Sequence, residues 1–276
     1  SVDFEAERVG AFLEADHERP FFMFYNISPP HMPLADAPEK YLNMYGPDEV
    51  PLRPNVYIDG ELPWDEHWFK IYLWDFLYYE QHLPYTASLP EDFDLRHLVA
   101  LYYGLTTWVD DTLGRLLHRL ETSGLADNTI VVFLSDHGDN LGSHHRFNKM
   151  LLIEESIRIP MIFRSGHGSK VNSTQVAQTI DVMPTILDLC GASVPTSVQG
   201  RSLAPILRGE CAELDQNGAF IETTRCEIGL RTPTHLYGRV LDSDLRSLAA
   251  EGGQFYDLRD DPYQQHNLFG SGADPE

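Results

Sequence analysis

Lysine is scarce in this chain: Lys40, Lys70, Lys149 and Lys170 are the only four in 276 residues. Against 42 acidic residues stand 20 basic ones, a formal net charge of −22. A surface so poor in cations is a weak partner for nucleic acid or for an anionic membrane, because both draw their affinity from Lys and Arg contacts to phosphate. The same field repels a polyanionic sulfated polymer unless a local cationic pocket overrides it. Cysteine is rarer still. Cys190, Cys211 and Cys226 show no C-x-x-C spacing, so neither a zinc knuckle nor a redox pair is indicated. An odd count at low density argues against a disulfide framework and leaves the compartment open. Cys190, closing the run Ile186-Leu187-Asp188-Leu189, reads as a small core residue. No apolar stretch is long enough to span a bilayer. The opening Ser1-Val2-Asp3-Phe4-Glu5 is acidic and lacks both a Met and an apolar signal core. With Val9, Phe12 and Leu13 on one face it reads as the inside of a helix, as though the beginning were cut.

What is present begins with core material: 42% hydrophobic residues, enough for one large or two modest domains. The most informative segment is Ile130-Val-Val-Phe-Leu-Ser-Asp-His-Gly-Asp-Asn140. A continuous apolar run bounded by a polar turn predicts a strand buried on both faces of a parallel sheet. Ligands of open α/β sheets collect where strands end at their carboxyl edge, and Asp136 and His137 stand there. Gly138 lets the backbone turn away. For an isolated Asp-His-Gly the plainer reading is a polar turn capping the next helix. Here two more imidazoles and two cations follow in Leu141-Gly-Ser-His-His-Arg-Phe-Asn-Lys149, and Glu154-Glu-Ser-Ile-Arg-Ile-Pro-Met-Ile-Phe-Arg164 leads into another apolar strand.

The remaining pattern is an α/β alternation. Residues 2–16 read as the end of a helix, 20–27 as a strand, and 28–36 as a Pro-rich turn carrying His31. Residues 37–95 are irregular and rich in aromatics. Tyr102, Leu105, Val109, Leu113, Leu116, Leu117 and Leu120 repeat at helical spacing, with Gly124 as a stop. A strand at 159–164 and a helix at 175–190 follow. Short strands at 218–223, 228–231, 235–241 and 254–258 predict a small antiparallel sheet. The runs 20–27, 128–135 and 159–164 are expected in one largely parallel sheet, with His31 and Asp136 converging at its carboxyl edge.

In this order the motifs resemble the sulfatase family, within the alkaline-phosphatase-like superfamily. The Ser135–Gly138 turn with Lys149 is joined by Pro20–Tyr25 with Pro29-Pro30-His31-Met32-Pro33. Also similar to the family are Tyr103-Gly104 with Val109–Arg115, Asp181–Leu187 with Gly200-Arg201-Ser202-Leu203, and Tyr256–Pro262 with Asn267-Leu268. The resemblance implies an α/β fold, a mostly parallel sheet sandwiched by helices, with a small C-terminal antiparallel sheet. Residues 1–209 would be the later part of the catalytic domain, with 37–95 an insertion, and 210–276 a small C-terminal α+β subdomain.

Hydrolysing a sulfate ester requires neutralised sulfuryl oxygens, an in-line nucleophile and a proton for the leaving oxygen. A divalent cation held by carboxylates meets the first need. By resemblance, Asp136 and His137 are metal ligands, Lys149 contacts the sulfate, and His31 binds it and helps protonate the leaving group. The implied ion is Ca2+, with Mn2+ or Mg2+ as alternatives, the single imidazole widening the choice toward a softer ion such as Mn2+. His144, His145 and Arg146 read as loop residues, and Asp110-Asp111, inside an amphipathic helix, as helix surface.

One family feature is missing. No Cys or Ser begins a Cys-x-Pro-Ser-Arg-type signature, whose first residue becomes the formylglycine nucleophile, and the first-strand acidic pair is missing too. The chain is therefore expected to be an incomplete portion of a sulfatase, inactive alone. It would act on a sulfated small molecule or glycan when joined by its N-terminal part, which could be a separate chain. Alternatives are a phosphomonoester or phosphonate monoester hydrolase of the same superfamily, or a noncatalytic module that keeps the fold.

Overall fold

A 28-residue helix, Leu95–Thr122, organises the first half of the chain. Its buried positions Leu95, Leu98, Val99, Leu105, Trp108, Thr112, Leu116 and Leu120 recur at three- and four-residue intervals, which places them on one stripe. The chain is described here by a computed structural model, which covers residues 2–57, 95–165, 171–224 and 226–272. The aromatics at 64–79 lie outside the described residues. Two compact units result: Ser1–Thr129 with Leu141–Phe147, and Ile130–Asn140 with Asn148–Glu276.

In the first unit, helix α1 (Val2–Leu13) and the short α2 (Glu39–Leu42) pack on α3 (Leu95–Thr122). Arg115 and Arg119 of α3 pair with Asp3 and Glu7 of α1 at 2.5 and 2.7 Å. Gly104 admits α2: a methyl there would stand 2.1 Å from the Tyr41 carbonyl oxygen. Leu34, Val56, Leu95, Leu98 and Leu105 are almost fully enclosed and form the centre of this core. As expected for helix surface, Asp111 of α3 accepts hydrogen bonds from Lys40 and Tyr41 at 2.9 and 2.8 Å. The Lys40 ammonium holds the Asp111 carboxyl below the usual carboxylate range.

In the second unit, β1 (Val131–Leu134) pairs with β2 (Met161–Arg164), Val131 opposite Arg164 and Leu134 opposite Met161. This pairing is antiparallel, which corrects the expected parallel arrangement of these two runs. An apolar run reports burial but not strand direction. A parallel return needs a crossover element, and the Ser135–Pro160 connection offers only a 3-10 turn at Ser143–His145 and the four-residue α4 (Glu154–Ile157). The expected strand at 20–27 is corrected as well: the segment is not in any ladder of the described residues. Helix α5 (Val182–Leu189) is shorter than the expected 175–190, and Cys190 caps it as an exposed residue, not a core one. Gly191, at φ 70°, turns the chain away immediately. All three cysteines are free.

The short helix α6 (Ala204–Leu207) leads to β3 (Ala219–Glu222), β4 (Glu227–Arg231), β5 (His235–Leu241) and β6 (Leu248–Asp257). These form an antiparallel meander in chain order, matching the small C-terminal sheet read from the sequence. Gly229 and Gly238 stand opposite each other on β4 and β5. A Cβ on either would meet the Leu152 side chain within 2.5 Å, so the two glycines make the recess in which Leu152 is fully buried. Beside it, Arg231 grips Glu154 through Nε and a terminal nitrogen at 3.1 and 2.9 Å. Among the described residues no helix is long and apolar enough to cross a membrane.

Candidate functional site

The end of β1 runs directly into a tightly bonded turn. The Ser135 hydroxyl donates to the His137 carbonyl at 2.6 Å, and the His137 N–H donates to Asp136 Oδ1 at 2.9 Å. His137 Nδ1 donates to the Gly138 carbonyl at 2.8 Å, which leaves Nε2 as the lone-pair nitrogen, the arrangement that orients a metal-ligating imidazole. That Nε2 lies 3.5 Å from Asp136 Oδ2, whose side chain is 85% exposed. Two donors sharing one cation at about 2.0–2.4 Å each stand about 3–3.5 Å apart. The donor pair therefore fits a shared divalent ion. Two donors are not a coordination sphere, and among the described residues no group of three or more His, Cys, Asp or Glu is placed to hold a metal.

A ring of hydrogen bonds joins this turn to the lysine. The Gly138 N–H donates to the Ser156 carbonyl at 2.9 Å. The Ser156 hydroxyl donates to Asn140 Oδ1 at 2.8 Å, and the Asn140 N–H donates to the carbonyl of Asn148, next to Lys149, also at 2.8 Å. Asn140 and Ser156 are buried, so these bonds are shielded from competing water. Neither residue stood out in the sequence: sixteen positions separate them, and no spacing rule links a turn asparagine to a serine in the next helix.

Lys149 itself is half-buried. It is flanked by Asn148 at φ 68° and Met150 at φ 80°, left-handed conformations that cost roughly 1–3 kcal/mol each and persist where the surroundings impose them. Its ammonium has no acceptor or carboxylate partner among the described residues. In a chain of net charge −22, a half-buried lysine with no acid partner among the described residues is a candidate contact for an external anion.

His31 belongs to the first unit, in an exposed turn between two cis peptide bonds, Pro29-Pro30 and Met32-Pro33. Its Nδ1 donates to the Met32 carbonyl at 2.8 Å, again leaving Nε2 open. His144 and His145, at φ 51° and 58°, shape the Gly142–Arg146 loop, and His145 Nε2 reaches the Tyr57 carbonyl at 3.4 Å. The structure thus brings Asp136, His137 and Lys149 onto one bonded frame and places His31 in the other unit.

Gly138 is the tightest point of that frame, because a methyl there would lie 1.9 Å from the Glu155 carbonyl oxygen. Gly138→Ala is expected to displace the turn and destabilise the chain by about 1–3 kcal/mol. Gly114→Ala, where no atom lies within 4 Å of the added methyl, should stabilise α3 by about 0.5–1 kcal/mol. Urea unfolding of the two variants checks the contrast.

Comparison with known proteins gives the family. The sulfatase family model matches residues 5–192, and the model for the C-terminal region of N-sulphoglucosamine sulphohydrolase matches 142–275. The chain is 28% identical to an ulvan-active sulfatase of Formosa agariphila, over 96% of this chain and 47% of that protein. It is 31% identical to PehA of Trinickia caryophylli, a multifunctional alkaline phosphatase superfamily protein, over 98% of this chain and 55% of that one. It thus spans about half the length of these relatives. A structure solved with its substrate D-glucosamine-2-N,6-O-disulfate superposes with a TM-score of 0.78 at 24% identity, covering 98% of this chain and 65% of that one. That likeness gives the fold, α/β and alkaline-phosphatase-like. With a family model matching more than half of its residues, the chain belongs to the sulfatase family.

Proposed function

We propose that this chain forms the later portion of a divalent-metal-dependent sulfatase, which hydrolyses a sulfated small molecule or glycan once a nucleophile-bearing N-terminal part completes it. The observation that carries this reading is the bonded frame holding the Asp136–His137 pair with a half-buried Lys149 that has no acid partner among the described residues. Lys149 would neutralise a sulfuryl oxygen in both the bound ester and the transition state. His31, once protonated at its open Nε2, would give that proton to the leaving oxygen. Asp136 Oδ2 and His137 Nε2 would hold the cation, Ca2+ first and Mn2+ or Mg2+ as alternatives. When bound, that ion supplies positive charge to the ester oxygens. The formylglycine nucleophile would come from the N-terminal part, since no signature for it occurs in this chain.

A second reading, phosphomonoester or phosphonate monoester hydrolysis, is supported by the imidazole in the ligand pair and by the multifunctional relative. The test is co-expression of this chain with the polypeptide encoded immediately upstream of Ser1, followed by assay on 4-nitrophenyl sulfate, 4-nitrophenyl phosphate and a phenylphosphonate monoester. Sulfate hydrolysis that is fastest of the three and is lost with EDTA is the expected result. Faster phosphonate turnover would favour the second reading, and no turnover of any ester would favour a noncatalytic module. Calorimetry on the chain alone should show weak Ca2+ binding, because two ligands leave most of the six to eight positions calcium takes unfilled.

A further inference from the structure

Helix α4 carries the middle of the bonded frame. Its Ser156 supplies both the carbonyl that takes the Gly138 N–H and the hydroxyl that reaches Asn140. A helix of four residues does not hold itself, because the first turn costs more order than its few hydrogen bonds return. The residue before it, Ile153, has no side-chain oxygen with which to cap the first N–H groups. The cap comes from 110 positions away, where Gln264 Oε1 accepts the Glu154 N–H at 2.6 Å. Gln264 is 2% exposed and held at φ 53°, a left-handed conformation that persists where the surroundings impose it. The turn after β6 imposes it here. Asp261 accepts the Gln265 and His266 N–H groups on its two carboxylate oxygens at 2.9 and 2.7 Å. The Gln264 N–H reaches the Asp261 carbonyl at 3.2 Å. The glycine recess around Leu152 and the Arg231 fork on Glu154 hold side chains of the same segment, whereas the Gln264 bond fixes the backbone where α4 starts. Gln264 Nε2 has no partner among the described residues. The amide is used for its oxygen.

We propose that Gln264 is a positioning residue, whose Oε1 sets the α4 backbone and through it the placement of Lys149 relative to the Asp136–His137 pair. The bonds in this path, from Gln264 to Glu154, from Ser156 to Gly138 and Asn140, and from Asn140 to Asn148, are 2.6–2.9 Å long. Gln264 contacts neither ester nor ion in this role and acts through Lys149. Its effect on turnover rests on the sulfatase reading, but its effect on the frame does not. A misplacement of about 1 Å at a charge-stabilising group is enough to cost rate, so a cap far from the chemistry can control it.

Two variants separate the oxygen from the side-chain volume. Gln264→Met fills the site at similar length but removes the acceptor. Gln264→Glu keeps an acceptor for the Glu154 N–H and loses no bond at the other terminal atom, since Nε2 makes none among the described residues. The first measurement is hydrogen exchange on the chain alone, comparing the Gly138 and Asn140 amides with the ladder amides of β4 and β5. A loss of global stability speeds both sets equally, whereas displacement of α4 speeds the frame more. In Gln264→Met the frame amides are expected to gain about tenfold or more over the ladder amides, and in Gln264→Glu to stay within about threefold of the parent. The second measurement is hydrolysis of 4-nitrophenyl sulfate by the chain completed with the polypeptide encoded immediately upstream of Ser1. Gln264→Met should lower kcat/KM about tenfold with Lys149 in place and by about twofold at most in the Lys149→Ala background, as for residues that act as one unit. A cap that served only stability would cost the same factor in both backgrounds. Frame amides that keep pace with the ladder in Gln264→Met, a Gln264→Glu variant that exchanges as fast as Gln264→Met, or equal losses in the two backgrounds would each overturn the proposal. If the completed parent hydrolyses no sulfate ester, the sulfatase reading falls, and the exchange comparison by itself decides whether Gln264 sets the frame.

Discussion

Lys149→Ala is expected to lower sulfate ester hydrolysis by the completed enzyme by a hundredfold or more, while leaving the unfolding midpoint of the chain unchanged. Removing one preorganised charge that faces a developing anion costs roughly 3–4 kcal/mol of transition-state stabilisation. In the proposed role the lysine would touch sulfate in both ground and transition states, so KM should rise while kcat falls. Lys149→Arg should recover part of the loss, since the charge returns with a different shape. Lys40→Ala is the control: Lys40 is an exposed surface partner of Asp111 at 2.9 Å, and its loss should leave turnover unchanged. Equal activity of Lys149→Ala and Lys40→Ala would return Lys149 to an ordinary loop residue, and the reading would then rest on the Asp136–His137 pair and the family match.

Arg231→Ala is expected to destabilise the chain by about 3–5 kcal/mol, the range for breaking a buried pair from one side. The Arg231 and Glu154 side chains are only 17% and 12% exposed, and the grip is two-pronged, so deletion strands a carboxylate that water cannot resolvate. Against a typical total stability of about 5–15 kcal/mol, this would unfold a large fraction of molecules at moderate urea. The double variant Glu154→Met/Arg231→Met should recover most of the loss, because a well-packed apolar pair replaces a buried ion pair at little cost. Urea unfolding with an unchanged m-value checks both. A single variant within about 1 kcal/mol of the parent would mean that the fork is screened like a surface pair.

The candidate site residues were singled out in the sequence by residue chemistry together with the family resemblance. Asp136, His137, Lys149 and His31 stood out because few side chains can ligate a cation or neutralise an anion. Their placement after an apolar run or among prolines was visible in one dimension. Asp110-Asp111 was correctly left on the helix surface, since the flanking periodicity already fixed which face it occupied. Asn140 and Ser156 were not legible. Their value lies in one buried hydrogen bond across sixteen positions, and nothing in either residue announces a partner.

The fold divides along the same line. Composition and periodicity determined the elements that local sequence controls: the long amphipathic α3, the apolar β1, and the four-stranded meander, in which each strand pairs with the strands next to it in the chain. Tertiary structure decided the rest. The direction of β1 against β2 depended on whether the intervening chain built a crossover helix, and it built only α4, four residues long. Whether 20–27 became a paired strand depended on a neighbouring backbone, because a strand, unlike a helix, cannot satisfy its own hydrogen bonds.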